Sequence, residues 1–196
     1  VVAHADLNPS RRLHATGGEA RSLYAELMKN FATRVKPHGG ALVTMVEKFI
    51  TLAVAQARQS GARPEDVIHQ QLAHMSELVM GFDFAAVIAA YWRGHESDND
   101  SLKESAIRWL RGEFTAKTDA RKALDVREII GDAAVYDQLK LMAKFCRLAG
   151  YQGLLVCIDE LVNLYKLAHT AARNSNYEQI LRILNDLEQG SAEGLG

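Results

Sequence analysis

Apolar residues recur at helical spacing along most of this chain. Leu23, Leu27 and Phe31 form one such stripe, and stripes of the same period continue towards the carboxyl terminus, which predicts about seven or eight amphipathic helices. Two stretches break the pattern. Val1–Ala5 has the character of a short strand, and Leu154–Ile158 is an uninterrupted apolar run, typical of a strand buried on both faces of a parallel sheet. The pattern therefore predicts a strongly α-rich α/β chain with two strands.

Local signals predict where several helices begin. Thr16 and Glu19, and again Ser101 and Glu104, have the spacing of a capping box, in which two side chains satisfy free amides in the first helical turn. Gly81-Phe82-Asp83 predicts a turn before a shorter helix.

Composition narrows the class of protein. The chain has 196 residues, of which 48% are hydrophobic and 24% charged, which excludes a disordered tail, a collagen-like fibre and a disulfide-stapled miniprotein. The net charge of -1 gives no overall electrostatic preference for nucleic acid or anionic membrane. No apolar run reaches the roughly 18 residues of a membrane helix. Cys146 and Cys157 lie among apolar neighbours, which predicts reduced core cysteines and a cytoplasmic protein.

The most informative motif is the end of the second apolar run. Leu154–Ile158 is followed directly by Asp159 and Glu160, as in the Walker B strand of P-loop ATPases. In that motif the aspartate helps to hold Mg²⁺, and the neighbouring glutamate polarises the attacking water. The pattern by itself is also compatible with a buried strand that ends in solvated acids.

Other catalytic patterns are absent from the sequence. It has no G-x-x-x-x-G-K-[ST] phosphate loop and no Gly-Lys pair, and it contains neither H-E-x-x-H nor G-x-S-x-G. A basic group formed by Arg108, Arg111, Arg121 and Lys122 is compatible with contact to a phosphate backbone, although a solvated helix face is the favoured interpretation.

Four stretches together resemble a known family. They are Ala3 to His14, Arg108 to Glu113, Gly153 to Tyr165, and Asn176 to Gly190. In this order they look like the P-loop ATP-binding proteins of the BrxD type from bacterial BREX phage-defence islands. The resemblance spans nearly the whole chain and implies an AAA+-related ATPase with a large helical insertion, which uses ATP and Mg²⁺.

The resemblance also implies how the chain is divided. Residues 1–196 would be an internal segment of the ATPase domain, with the phosphate loop before Val1 and the next core strand just after Gly196. Within it, residues 1–7 would be a core strand, 16–58 helices, 60–131 the helical insertion, and 133–189 a helix, the Walker B strand and the following helices. The two strands would be a remnant of the parallel P-loop sheet.

The family's functional residues carry over by position. Asp159 would hold Mg²⁺, through water, and Glu160 would be the catalytic carboxylate. Arg173, placed in a loop after the motif helix, is a candidate for contacting the nucleotide of a neighbouring subunit, although helix capping or a surface role is the favoured interpretation. Because the phosphate loop is missing, we expect this segment alone to bind no cofactor and to be inactive.

The implied partners are other components of a phage-defence system and, through the parent protein, DNA. The open sheet edge predicts self-association or cover by a terminal segment, and no membrane partner is expected. Two other functions stay open: a non-enzymatic helical protein-interaction module, and a DNA-binding helical segment.

Overall fold

The computed structural model of the chain describes residues 1–76 and 78–196, which form two short strands and nine α-helices. The elements, in order, are β1 (Val2–Asp6), α1 (Glu19–Lys29), α2 (Leu42–Ser60), α3 (Pro64–Ala73), α4 (Gly81–Glu96), α5 (Asp100–Leu110), α6 (Lys117–Leu124), a 3-10 turn (Asp132–Ala134), α7 (Val135–Leu148), β2 (Leu155–Asp159), α8 (Val162–Tyr165) and α9 (Thr170–Glu188). The predicted α-rich α/β class is confirmed, with slightly more helices than the periodicity predicts.

The two strands form a parallel sheet. The register pairs Val2 with Leu155 and continues to Asp6 with Asp159, so the helices from α1 to α7 lie in the connection between neighbouring strands. An antiparallel bridge joins Val2 to Ala32 on the outer edge of β1. On the outer edge of β2, a parallel bridge joins Leu154 to Leu195, so a terminal segment covers the start of that edge.

The prediction that β2 is buried on both faces is wrong. Along β2 the side chains alternate between exposed and half-buried, and Leu155 is 50% exposed. Cys157 was predicted to be a core residue but is exposed, because it lies on the same face of β2 as Leu155 and no described element covers that face. Cys146 is buried, as predicted. The inward face of β1 is fully buried through Ala3 and Ala5.

One continuous core of buried apolar side chains runs through the described helices. Its centre is aromatic: the ring of Phe145 in α7 lies 5.0 Å from that of Phe49 in α2 and 5.3 Å from that of Phe84 in α4, between centroids. The division of the chain into a core segment and an insertion at 60–131 stays a prediction. Among the described helices, none is both long enough and apolar enough to cross a membrane.

The first predicted capping box is wrong because the cap of α1 comes from a distant residue. The Asp132 carboxyl oxygens accept hydrogen bonds from the Gly18 amide at 2.6 Å and the Arg21 amide at 2.9 Å. Gly18 is the N-cap residue, and Thr16 makes no capping bond. The connection before α7 therefore fixes the start of α1, next to the sheet.

Two other helix starts also differ from the prediction. Asn99, not Ser101, caps α5, since its Oδ1 accepts from the Leu102 amide at 3.1 Å. The structure has no separate turn at Gly81-Phe82-Asp83, because Gly81 is already the first residue of α4. A Cβ at this position would collide with the carbonyl oxygen of Met75, so the glycine serves close packing rather than a turn.

Candidate functional site

The carboxyl ends of both strands meet at one edge of the sheet. Asp6 and Asp159 are register partners there, and both are exposed. The pairing extends one residue further, because the amide of Leu7 donates to the carbonyl oxygen of Asp159 at 3.0 Å. Leu7 itself is buried, which anchors this edge to the core. This is the position where open α/β sheets usually bind ligands.

Glu160 leaves the strand in a left-handed backbone conformation, with φ of 60°. This conformation is uncommon for a residue with a Cβ and costs about 1 to 2 kcal/mol. Two hydrogen bonds offset that cost: the Glu160 amide donates to Asp159 Oδ1 at 2.7 Å, and its carbonyl oxygen accepts from the Asn163 amide at 2.9 Å. The chain therefore turns sharply after Asp159, and the Glu160 side chain is exposed beside it.

Asn163 joins the start of α8 to the end of β1. Its Nδ2 donates to the carbonyl oxygen of Leu7 at 2.8 Å, while its Oδ1 accepts from Lys166 Nζ at 3.1 Å. Through its amide bond to Glu160 and its side-chain bond to Leu7, this residue connects the two strand ends that form the edge.

Asn176 in α9 holds the loop that follows β1. Its side chain is fully buried, and its Oδ1 accepts from the His14 amide at 2.9 Å. Its Nδ2 donates to the carbonyl oxygens of His14 at 3.0 Å and Ala172 at 2.8 Å. Further along α9, Asp186 accepts a hydrogen bond from the Tyr136 hydroxyl at 2.9 Å. A cavity of about 220 Å³ lies between α9, α7 and the inward face of β2.

Arg173 lies in the first turn of α9, not in the loop where it was predicted. It is half-buried, and its guanidinium contacts the Leu167 carbonyl oxygen and Thr170 Oγ1, each at 3.5 Å. These long contacts lie within its own helix start, and its guanidinium carbon is 6.0 Å from the Tyr165 ring centroid.

The predicted basic group is divided in the structure. Arg108 and Arg111 both lie 3.9 Å from Glu113 oxygens, and Arg108 also lies over the ring of Phe114. Arg121 and Lys122 lie on α6 and make no ion pair with a described residue. Half of the group is therefore partly neutralised by one acid.

Oxygen ligands are few at the strand edge. Within residues 1–76 and 78–196, no group of three or more His, Cys, Asp or Glu side chains is arranged to hold a metal ion. This arrangement does not fit a cation caged by protein alone. It fits Mg²⁺ better, since this ion usually keeps several waters and is bound by one or two carboxylates together with substrate phosphates.

Comparison with known proteins identifies the family. The whole chain, residues 1–196, matches the family described as BREX system ATP-binding protein BrxC/D. The chain therefore belongs to the BrxC/D family of ATP-binding proteins of the BREX phage-defence system. No curated protein and no solved structure matched the chain.

Two residues that organise this edge were missed by the sequence reasoning. Asn163 and Asn176 both lie inside stretches that carried the family resemblance, but an asparagine on a helix usually indicates an exposed position or a cap. Their position inside those stretches was the one feature of the sequence that could have marked them as important. Their roles depend on carbonyl groups more than 150 residues away in the chain, with sequence separations of 156 and 162.

Proposed function

We propose that this chain carries the hydrolytic carboxylates of a BREX ATPase, with Asp159 as the Mg²⁺-associated acid and Glu160 as the catalytic base. The observation that carries the proposal is the strained turn at Glu160. It puts two adjacent acids at the carboxyl end of a parallel strand, and hydrogen bonds to Asp159 and Asn163 hold it there. Strained residues kept by their surroundings are concentrated at functional sites.

The family and the sheet support the P-loop assignment of these two strands. ATP binding is a property of the family. An isolated parallel bridge joins Leu154 to Leu195 on the side of β2 away from β1, which is the side where the next strand of a P-loop sheet is expected. With the phosphate loop absent from residues 1–196, the residues that cradle the phosphates lie outside them, and this segment alone is inactive.

In this proposal each residue has a separate task. Mg²⁺, when bound with ATP, neutralises charge on the phosphates. Asp159 keeps one carboxyl oxygen for water molecules of that ion, because its Oδ1 is used by the Glu160 amide. Glu160 accepts a proton from the attacking water. Asn163 positions both by fixing the turn to the end of β1.

A single isosteric change tests the catalytic assignment. In the full-length protein, Glu160→Gln should lower ATP turnover by about 10² to 10⁴-fold and leave nucleotide binding intact, because the amide cannot accept the proton. Turnover is measured by phosphate release, and binding by a fluorescent ATP analogue. Glu178→Gln, at an exposed position of α9, removes the same charge and should change neither. Unchanged turnover in Glu160→Gln would refute the assignment.

Arg173 enters the proposal as a candidate contact to the nucleotide of a neighbouring subunit. Its contacts with Leu167 and Thr170 instead favour a role in holding the start of α9. The geometry of this chain therefore supports capping more than contact in trans.

A second function, a non-enzymatic protein-interaction module, is favoured by one observation. Beside the strand edge, apolar side chains of α8 and its start are exposed: Leu161 by 50%, Val162 by 56% and Tyr165 by 72%. Large exposed apolar patches often mark protein interfaces. Wild-type turnover in the Glu160→Gln variant would mean that hydrolysis does not use Glu160, and would favour the interaction function for these residues.

A further inference from the structure

A cleft between α4 and α6, remote in sequence from the strand edge, carries an excess of positive charge. It encloses about 470 Å³, and its lining includes Phe82, Arg93, Arg121, Asp125 and Arg127. None of these residues has a role in the proposed hydrolysis.

Its three arginines are exposed and pair with no acid among the residues that the structure describes. Among the described residues, no carboxylate oxygen lies within 4.0 Å of Arg93, Arg121 or Arg127, whereas Arg108 and Arg111 nearby are both paired. Asp125 is the single acid in the lining, so the formal local charge is positive although the whole chain carries -1. Unpaired arginines that converge on a concave surface favour an anionic ligand, since the guanidinium is a fork suited to phosphate oxygens.

An exposed aromatic ring lies among these cations. Phe82 is 52% exposed, and the Arg127 guanidinium carbon lies 4.3 Å from its ring centroid. Phe82 and Arg93 are eleven residues apart on α4, close to three full turns, so they share one helix face about 16 Å apart along the axis. The cleft thus offers a stacking surface near one end and a cation near the other.

The backbone beneath Arg127 is held rigidly. Asp83, only 4% exposed, accepts hydrogen bonds from the amides of Arg127 at 2.9 Å and Glu128 at 3.0 Å. Trp109 Nε1 donates to the Glu128 carbonyl oxygen at 2.9 Å. Because this connection is already ordered, a ligand would not have to order it on binding.

From these observations we propose that the α4–α6 cleft binds single-stranded nucleic acid. Arg93, Arg121 and Arg127 contact the phosphates, and a base stacks on the face of Phe82 opposite the Arg127 guanidinium. Positively charged grooves with aromatic rings are the usual means of holding single strands, and a concave cleft of this size admits a few nucleotides of one strand. A duplex would present a convex double backbone and no free base face.

The test measures binding of a fluorescently labelled oligothymidylate of about 15 nucleotides to the full-length protein, by anisotropy and without ATP. Arg93→Ala combined with Arg121→Ala should weaken binding about tenfold or more. The slope of log Kobs against log salt concentration should fall in magnitude from about 2 to about 0.7, because three phosphate contacts become one. Phe82→Ala should weaken binding by roughly five- to a hundredfold through lost stacking.

Matched controls separate a site from general charge. Arg34→Ala combined with Arg58→Ala removes two exposed arginines that lie outside the cleft and pair with no described acid, and it should leave affinity unchanged. Thermal melting of every variant verifies that it is folded. The proposal is overturned if the oligothymidylate does not bind, or if the control pair weakens binding as much as the cleft pair. It is also overturned if a duplex of the same length or a phosphopeptide displaces the strand at equal concentration.

Discussion

Replacing Asp132 with alanine should destabilise the protein by removing the cap of α1. Asp132 accepts two hydrogen bonds from amides of the first turn, at 2.6 and 2.9 Å, and its charge lies at the positive end of the helix dipole. Loss of an N-cap costs about 0.5 to 2 kcal/mol, and a hydrogen bond to a charged group contributes about 1.5 to 3 kcal/mol. Because Asp132 is half-buried, water replaces part of this loss. We expect a decrease of about 2 kcal/mol in the free energy of unfolding.

Urea titration followed by circular dichroism measures this decrease, and the melting temperature should fall by about 4 to 8 °C for a chain of this length. Thr16→Ala is the matched control, since the local sequence favours Thr16 as the cap and the structure gives it no capping bond. It should change stability by less than about 0.5 kcal/mol. If Thr16→Ala is as destabilising as Asp132→Ala, the long-range cap is refuted.

Three further predictions concern Asn176 and the two cysteines. Asn176→Ala should lower the free energy of unfolding by about 2 to 3 kcal/mol through the loss of three hydrogen bonds, whereas the exposed Asn174→Ala should be neutral. Equal effects in urea titration would contradict a stabilising role for the Asn176 hydrogen bonds. Burial raises the pKa of Cys146 to about 12, while the thiol of an unfolded chain has a pKa of about 8.5. The unfolded chain therefore loses this proton first, and the free energy of unfolding should fall as the pH rises above about 8.5. Native-state alkylation should modify the exposed Cys157 and spare Cys146, and equal rates would refute this difference.

The elements that depend on local pattern were predictable from the sequence. The apolar run before Asp159 identified β2, and the helical stripes identified most helices. Both signals are local, because the spacing of apolar residues along the chain indicates the type of element. The parallel pairing of β1 with β2 followed from the family resemblance, and the register confirms it.

What could not be predicted depends on contacts between distant parts of the chain. The local sequence favours Thr16 as the cap of α1, but Asp132, 114 residues after Gly18, binds the amides of Gly18 and Arg21 at this helix start. An apolar strand is expected to be covered on both faces, and β2 is not. In the candidate site, the adjacent acids were visible in the sequence. Asn163, which holds their turn to the end of β1, and Asn176, which holds the loop after β1, were not, because each acts on a carbonyl group far away in the chain.

The pairing of β1 with β2 has a consequence for synthesis of the protein. About 150 residues separate the two strands, so at 5 to 20 residues per second the ribosome needs about 8 to 30 s to supply the partner of β1. During that interval the edge of β1 that β2 will occupy is open to pairing with other chains. The opposite edge is covered early, because Ala32 follows within thirty residues and exchanges two backbone hydrogen bonds with Val2, at 3.0 and 2.7 Å. This side of β1 is thus protected long before β2 arrives.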